Sequence, residues 1–219
     1  FIFEVSYMPE MLKLNSFDTI CHEHLEYYSL TVIQKILSYN DMKVAKVQLN
    51  KSNGGSIRCF VVKKDNYKFG TKKDLNEIDK LLKKETKSGL NTNKPYLKFE
   101  KEVINLRNKL RKLILKLKKE GKNIHVYGAS TKGNTILQFC KLNNKLIKYA
   151  ADRNLDKVGL KTLGSNISII SEKDSRNMKP DYYLALPWHF KEEFIKREKS
   201  FLKNGGKFIF PLPKLKVVK

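Results

Sequence analysis

The sequence predicts an α/β protein made of two lobes and a helical segment between them. Short runs of β-branched and aromatic residues alternate with helical patterns in both end regions of the 219-residue chain, as is typical of α/β sheets. From about residue 71 to 120 the composition changes to lysine, leucine and glutamate, with apolar residues at helical spacing. We therefore expect residues 1–65 and 122–219 to form two Rossmann-like α/β lobes, both doubly wound, and residues 66–121 to form a helical bridge.

The first lobe is predicted from four segments. Residues 1–5 have the pattern of a buried strand, and residues 31–39 have the pattern of a helix. Residues 43–49 and 56–62 indicate two more strands, which a tight turn at 53–55 would join as an antiparallel pair. The chain opens without an initiator methionine or a signal-peptide pattern, so we expect it to begin partway through a larger protein.

The middle segment is predicted to contain two amphipathic helices. Gly121 follows the second helix as a C-cap. This long helix either bridges the two lobes or packs on one of them, and its pattern fits both arrangements equally. The apolar stripes that define the two helices are Leu75, Ile78, Leu81 and Leu82, then Val103, Leu106, Leu110, Leu113, Ile114 and Leu117.

The second lobe is predicted to open with a βαβ unit. A strand at 123–128, a glycine-containing loop, a helix at 135–140 and a strand at 146–152 make up this unit. Later strands are expected at 168–170, 182–186 and 207–210, with a helix at 191–202.

Composition narrows the classes of partner. The net charge is +23, yet only six of the 45 basic residues are arginines, the residue type that reads bases and forks onto phosphates. The lysines are spread along the chain, so we expect a solvated basic surface with a weak attraction for anionic ligands and no nucleic-acid partner. No apolar run reaches the 18 residues of a membrane span, and no membrane partner is expected. The pattern does not predict an oligomeric state.

The cysteines indicate a reducing compartment. Cys21, Cys59 and Cys140 are far apart and odd in number, which implies neither a disulfide framework nor a zinc site. We expect a cytoplasmic protein without a metal in this chain.

The first candidate site is the run His22-Glu23-His24. A metal site is disfavoured, because the run lacks the i, i+4 histidine pair and a nearby third ligand. Two interpretations remain about equal: a structural cluster that caps a strand and a helix, or a general base in which one histidine removes a proton and Glu23 orients it.

The second candidate site is the loop that begins at Gly128. It nearly matches the G-x-x-x-x-G-K-[ST] loop of nucleotide hydrolases, but Asn134 replaces the essential lysine. It nearly matches G-x-G-x-x-G, but Ser130 replaces the middle glycine, and Asp152 follows at about the spacing of a ribose-binding acid. Lys132 adds a cation that a mere helix cap does not need, so a nucleotide-like ligand at the helix N-terminus is favoured over a simple turn.

Two weaker candidates follow. The first has two interpretations: a tight turn, which is the simpler one, or a backbone cradle that binds a polar ligand. Its residues are Asn53, Gly54, Gly55 and Ser56. Trp188 follows a strand end, where α/β sheets often contact ligands, although a buried anchor for the lobe is the simpler explanation.

In combination, these segments resemble the S-adenosylmethionine-dependent sugar C-methyltransferases, which act on nucleotide-linked keto-sugars. Each piece alone is unspecific, but the ordered set is specific and covers nearly the whole chain. The matching pieces are EVSY (4–7), FDTICHEHL (17–25), NGGSIR (53–58), YGASTKGNT (127–135), DRN (152–154), PDY (180–182), LPWH (186–189) and GGKFIFPLP (205–213).

The resemblance implies a larger protein. Family members carry an N-terminal zinc-binding segment and a methyltransferase domain whose first strand and glycine loop hold S-adenosylmethionine. Neither feature is in this sequence. The resemblance therefore implies that residues 1–65 are the rear half of the methyltransferase domain, with zinc and the main cofactor loop outside the chain.

The resemblance also assigns roles to residues. His24 would remove the proton beside the sugar ketone, Glu23 would support it, and His22 and Cys21 would complete the catalytic segment; the family usually has tyrosine in place of Cys21. The implied product serves surface polysaccharide or secondary-metabolite chemistry, and the alternative is a non-catalytic nucleotide-sugar-binding protein. The implied substrate-binding residues are Asn53, Gly54, Gly55, Ser56, Arg58, Gly128, Ala129, Ser130, Thr131, Lys132, Gly133, Asn134, Asp152, Arg153 and Trp188.

Overall fold

The protein, seen in a computed structural model, contains two compact units. The backbone is described for residues 1–219 and the side chains for all of these except Asn53. The first unit comprises Phe1–Ser16 and His24–Lys101, and the second comprises Phe17–Glu23 and Glu102–Lys219. Within the described chain, no helix combines the length and the apolar character that crossing a bilayer demands.

The sheet of the first unit is small and antiparallel. Its strands are β1 (Ile2–Ser6), β2 (Met42–Asn50) and β3 (Ser56–Lys63), in the order β1-β3-β2. The predicted antiparallel pair of β2 and β3 is confirmed, but β1 is antiparallel to β3 as well, so the doubly wound arrangement predicted for this lobe is wrong. The expectation that β1 is buried is also wrong, because it is an edge strand with Ile2 61% exposed.

Three helices accompany this sheet. They are α1 (Met8–Lys13), α2 (Leu30–Ser38) and α3 (Lys72–Lys87). The buried stripe of α2, formed by Leu30, Ile33 and Leu37, packs in one cluster with β3 and with Ile78 and Leu81 of α3. Apolar burial of this kind supplies most of the stability of such a small unit.

A buried carboxylate from α3 holds the N-terminus of α2. The Glu85 side chain accepts four hydrogen bonds: from the N–H groups of Leu30 (2.7 Å) and Thr31 (2.9 Å), from the Thr31 hydroxyl (2.5 Å) and from the Tyr7 hydroxyl (2.6 Å). Ser29 adds the ordinary side-chain cap by accepting from the Val32 N–H. Both oxygens of Glu85 are therefore occupied by groups of the chain.

The long helix α4 (Lys94–Lys119) carries the predicted apolar stripe. Val103, Leu106, Leu110, Ile114 and Leu117 are buried along it. The boundary between the two compact units falls within this helix, after Lys101. Gly121 follows with a φ of 72°, the left-handed conformation predicted for the C-cap.

The second unit is built on a six-stranded sheet in the order β6-β5-β4-β7-β8-β9. The first five strands in this order are parallel to one another, and the edge strand β9 is antiparallel to β8. The sheet is therefore mixed, as in many α/β proteins. The strands are β4 (Ile124–Tyr127), β5 (Tyr149–Asp152), β6 (Ser168–Ser171), β7 (Tyr182–Ala185), β8 (Lys207–Phe210) and β9 (Lys216–Val218).

The helices of this unit differ in detail from the prediction. They are α5 (Thr131–Phe139), α6 (Glu172–Asn177), α7 (Lys191–Arg197) and α8 (Lys199–Lys203). The helix predicted at 135–140 begins earlier, at Thr131, because Ser130 caps it. The single helix predicted at 191–202 is divided at Glu198, whose buried side chain is drawn into an ion-pair network.

Candidate functional site

The strand order of the second sheet reverses at β4. From β4 the chain proceeds to β5 and β6 on one side, whereas β7 and β8 lie on the other side. Open α/β sheets bind ligands at the carboxyl ends of the strands where the order reverses in this way. That point lies beyond Tyr127 and Ala185, and it brings together the loop at 128–130 and the turn at 186–189.

Two glycines let these segments approach each other closely. Gly128 has a φ of +86°, and a Cβ there would lie 2.7 Å from the ring of Pro187. A Cβ on Gly133 would lie 2.7 Å from the Leu186 side chain. The two glycines thus have a packing reason that is independent of any ligand.

The peptide of Ala129 is held from both sides. Its N–H donates to Asp152 Oδ2 at 2.7 Å, and its carbonyl accepts from Lys157 Nζ at 2.8 Å. The same Lys157 Nζ lies 3.6 Å from Asp152 Oδ2, and the other carboxylate oxygen accepts from the Asn154 N–H at 2.8 Å. Asp152 therefore lies at the end of β5, as the spacing predicts, and each of its carboxylate oxygens accepts a backbone N–H of the chain.

The first turn of α5 is capped by a serine. Ser130 accepts from the Gly133 N–H at 3.0 Å as the N-cap. In the described part of the protein, no acidic side chain accepts from the N–H groups of Thr131 or Lys132. The turn thus combines free backbone donors, a positive helix end and the charge of Lys132, which is the chemistry of an anion site.

A buried aspartate lies beside this turn. Asp18, in the 3-10 helix Phe17–Thr19 that packs on α5, is 2% exposed and accepts from the indole N–H of Trp188 at 3.0 Å. Its Oδ1 has no hydrogen-bond partner among the described residues. Burial raises the pKa of Asp18, and the Trp188 hydrogen bond, the charge of Lys132 and the backbone N–H groups of Asp18 and Thr19 only partly offset that effect.

His189 belongs to the same turn as Trp188. Burial lowers its pKa, and the charge of Lys132 lowers it further. Its ring is therefore neutral at physiological pH and can act as a hydrogen-bond donor and acceptor.

The run at 21–24 is divided between the two units. Cys21, His22 and Glu23 belong to the second unit, where Cys21 is half-buried and the other two side chains are exposed. His24 belongs to the first unit and is half-buried. The roles predicted for these four residues remain predictions.

The candidates of the first unit form a turn with local contacts. Gly55 has a φ of +126°, and a Cβ there would lie 2.8 Å from Cβ of Glu10, so the glycine permits a close approach to α1. Ser56 is buried and donates to the Ser52 carbonyl. Arg58 pairs with Glu4 at 2.8 Å on the neighbouring strand. Gly54 lies in the short 3-10 turn at 52–54, and the side chain of Asn53 lies outside the described residues.

The cysteines and acidic groups assemble no metal site in the residues that the structure describes. Cys59 and Cys140 are buried, and burial raises the pKa of each thiol to about 12. Both are therefore protonated at neutral pH and behave as small core residues.

The sequence of this chain is similar to those of known proteins. Residues 51–213 match the family described as the C-methyltransferase C-terminal domain. The chain belongs to the C-methyltransferase family. It is also 34% identical over 218 residues to the protein named C-methyltransferase NovU from Streptomyces niveus. That match takes in all of this chain but 51% of the relative, so the chain spans about half the length of the curated relative it matches.

The C-methyltransferase chain has a second polar cluster, formed by α6, by the junction of α7 and α8 and by the Tyr127 side chain. Glu198 accepts from Arg176 at 3.0 Å and from the Tyr127 hydroxyl at 2.8 Å, and Arg197 pairs with Glu172 at 2.9 Å. Burial alone would raise the pKa of Glu198, but these hydrogen bonds outweigh it and hold the pKa below its usual value. A cavity of about 610 Å³ lies beside the cluster. Because both arginines are already engaged by carboxylates, we assign this cluster to stability.

The sequence did not predict two residues of the candidate site, Asp18 and Lys157. Asp18 lies inside the matched FDTICHEHL segment, so its proximity to the histidines was an available signal. Lys157 lies in an exposed lysine-containing loop, where the pattern offers no signal that this lysine contacts the loop at Ala129.

Proposed function

We propose that this chain is part of a C-methyltransferase that acts on a nucleotide-linked keto-sugar, and that its second unit holds the nucleotide end at the carboxyl edge of β4 and β7. The observation that carries the proposal is the meeting of three segments within one compact unit. The loop at Gly128, the turn at Trp188 and the segment Phe17–Glu23 all lie there. The family match and the resemblance of residues 17–25 to the catalytic segment support the interpretation of these three segments as a substrate site.

The diphosphate of the ligand is assigned to the first turn of α5. Backbone N–H groups at a helix N-terminus favour anions, and Lys132 adds a full positive charge. Asp18 supports a ligand that carries a hydroxyl or N–H donor beside these phosphates, because a buried carboxylate oxygen without a partner costs stability unless something donates to it. Ser130, Thr131, Gly133 and Asn134 would surround the phosphates, and Arg153, exposed after β5, would lie towards the nucleoside.

The chemical step follows from the acidity of a carbon beside a ketone. His24 would take the proton from that carbon, the C–H electron pair would become the enolate, and Glu23 and His22 would stabilise the imidazolium. Cys21 can offer only a weak S–H donor to the reacting sugar, where a tyrosine would offer a strong one. S-adenosylmethionine, when bound, would supply the methyl group in this class of reaction.

The described residues do not themselves provide a site for that donor. A dinucleotide-type crevice needs parallel strands that end beside a glycine-rich loop, whereas β1, β2 and β3 are all antiparallel. We therefore assign no residue of this chain to the methyl donor and expect its main loop to be contributed by sequence outside the chain.

The proposal is tested by thermal-shift titration of this chain with UDP, dTDP and S-adenosylhomocysteine. A ligand that binds only the folded state stabilises it by about 2.7 kcal/mol at a hundredfold excess over Kd. We expect a shift with either nucleotide that Lys132→Met reduces and the exposed-site control Lys161→Met does not. No shift with either nucleotide would contradict the proposed site.

The alternative, a non-catalytic nucleotide-sugar-binding protein, predicts the same nucleotide shift. It differs in the full-length protein, where methyl transfer to a nucleotide-linked keto-sugar would be absent. Loss of that transfer in His24→Asn, with nucleotide binding retained, would favour the enzyme over the binding protein.

A further inference from the structure

The loop at Gly128 is held in place by a pair of side chains that this family membership does not assign. Asp152 accepts from the Ala129 N–H, and Lys157 donates to the Ala129 carbonyl, so both polar groups of one residue are fixed. Ala129 immediately precedes Ser130, the N-cap of α5. The orientation of the N–H groups of Thr131 and Lys132 therefore depends on these two side chains.

Both carboxylate oxygens of Asp152 already accept a hydrogen bond from the chain. In dinucleotide-binding folds, an acid at this place accepts from the ribose 2′-hydroxyl. Here Oδ2 takes the Ala129 N–H at 2.7 Å and lies 3.6 Å from the Lys157 ammonium, and Oδ1 takes the Asn154 N–H at 2.8 Å. The residue as a whole is only 9% exposed.

We propose that Asp152 and Lys157 are positioning residues for the phosphate-binding turn, and that the site consequently binds nucleoside diphosphates without reading the ribose 2′-hydroxyl. This inference rests on the proposed function of the second unit. It changes the predicted role of Asp152 from contact with the sugar to control of the loop. The independent sign of a ligand beside this turn is the buried Oδ1 of Asp18, which is available to accept from a donor group of the ligand.

The test is calorimetric titration of the chain with UDP and dUDP, which differ only in the 2′-hydroxyl. We expect the two Kd values to agree within about twofold, since a ribose contact would be worth tenfold or more. Lys157→Met is expected to weaken both nucleotides by the same factor, about five- to tenfold, and Lys157→Arg is expected to restore binding because arginine can still donate to the Ala129 carbonyl.

Two controls separate positioning from other effects. Lys161→Met removes an equal charge from an exposed position of the same loop and should change neither Kd by more than about twofold. The melting temperature of ligand-free Lys157→Met should match that of Lys161→Met, so that a change in Kd reflects the turn rather than general stability.

Three results would overturn the inference. A tenfold preference for UDP that disappears in Asp152→Asn would show that Asp152 reads the ribose. Unchanged affinity in Lys157→Met would show that the lysine does not position the turn. Affinity lost in Lys157→Met and not restored in Lys157→Arg would contradict the hydrogen bond as the cause. If the unaltered chain bound neither nucleotide, the proposed function itself would fail, which is a distinct result.

Discussion

The N-termini of α2 and α5 present the same backbone chemistry in two different states. At α2, the carboxylate of Glu85 occupies the N–H groups of Leu30 and Thr31 and is itself fully buried. At α5, no carboxylate of the described chain accepts from the corresponding groups, and Lys132 lies in the first turn. The comparison indicates that the protein supplies its own anion where a helix has a structural role and leaves the position open where an anionic ligand is proposed to bind.

Removal of the Glu85 carboxylate should have the largest effect on the N-terminus of α2. Glu85→Ala leaves the Leu30 and Thr31 N–H groups and the Tyr7 hydroxyl without their acceptor. Each buried donor left unpaired costs about 1–3 kcal/mol, so we expect the free energy of unfolding to fall by roughly 4 kcal/mol. Urea denaturation measures this loss.

The matched control for Glu85 lies on the same helix. Glu77 is half-exposed in an ion pair with Lys80, and Glu77→Ala should change the free energy of unfolding by less than about 0.5 kcal/mol. Equal effects of the two substitutions would show that Glu85 does not hold α2.

Gly128→Ala tests the close packing of the loop before α5 against Pro187. The new Cβ would meet Pro187 at 2.7 Å, and the φ of +86° is itself strained for alanine. Strain and overpacking together should cost about 3 kcal/mol. Gly159 has a similar φ of +88° with open space around it, so Gly159→Ala should cost only about 1 kcal/mol in the same denaturation experiment. A cost no larger at Gly128 than at Gly159 would contradict the close packing.

Substitution of the serine N-caps of α2 and α5 should have a smaller effect on stability. Ser29→Ala and Ser130→Ala each remove one side-chain acceptor from a first-turn N–H, and each should cost about 1 kcal/mol of stability. We expect only Ser130→Ala to weaken UDP binding in calorimetry. If both variants bound UDP as the unaltered chain does, the N-terminus of α5 would not be the phosphate site.

The smallest expected change in the free energy of unfolding is a gain, in Asp18→Asn. Because burial raises the pKa of Asp18, its stabilising contribution is complete at acid pH and is lost as the pH rises through its folded-state pKa. Asp18→Asn removes the buried charge, so we expect it to stabilise the chain by roughly 0.5–1 kcal/mol at pH 8 and to lose this advantage towards pH 4.

The pH dependence of unfolding checks this prediction, with the exposed Asp156→Asn as the control. Destabilisation by Asp18→Asn at pH 8 would mean that Asp18 is a structural acceptor for Trp188 and no more. We also expect Asp18→Asn to bind nucleotide more weakly, in keeping with a trade of stability for function.

Local pattern predicted much of the fold, because the core strands and long helices repeat their apolar residues regularly. The stripe from Val103 to Leu117 is an example, as is the antiparallel pair of β2 and β3. Exposure of β1 was not predictable, since an apolar strand reads the same at an edge as in the middle of a sheet. The break at Glu198 depends on Arg176, 22 residues away, which a local window cannot register.

The site was predicted only in the parts that follow a motif. The loop at Gly128 and the acid Asp152 stand where their spacing placed them. Burial of a charged residue is instead decided by distant partners: Asp18 receives its hydrogen bond from a residue 170 positions away, and Glu85 holds a helix 55 positions before it. Neither appears in composition or periodicity, which is why Asp18, Glu85 and Lys157 emerged from the structure alone.

The placement of Phe17–Glu23 has a consequence for how such chains can be inherited. In the sequence this segment lies between two parts of the first unit, but it packs in the second unit. There Asp18 accepts a hydrogen bond from the indole N–H of Trp188. A recombination event within α4 would therefore deliver a second unit whose tryptophan lacks its native acceptor. The two units are interleaved in the sequence, so exchange between relatives must carry the segment Phe17–Glu23 together with the sheet of the second unit.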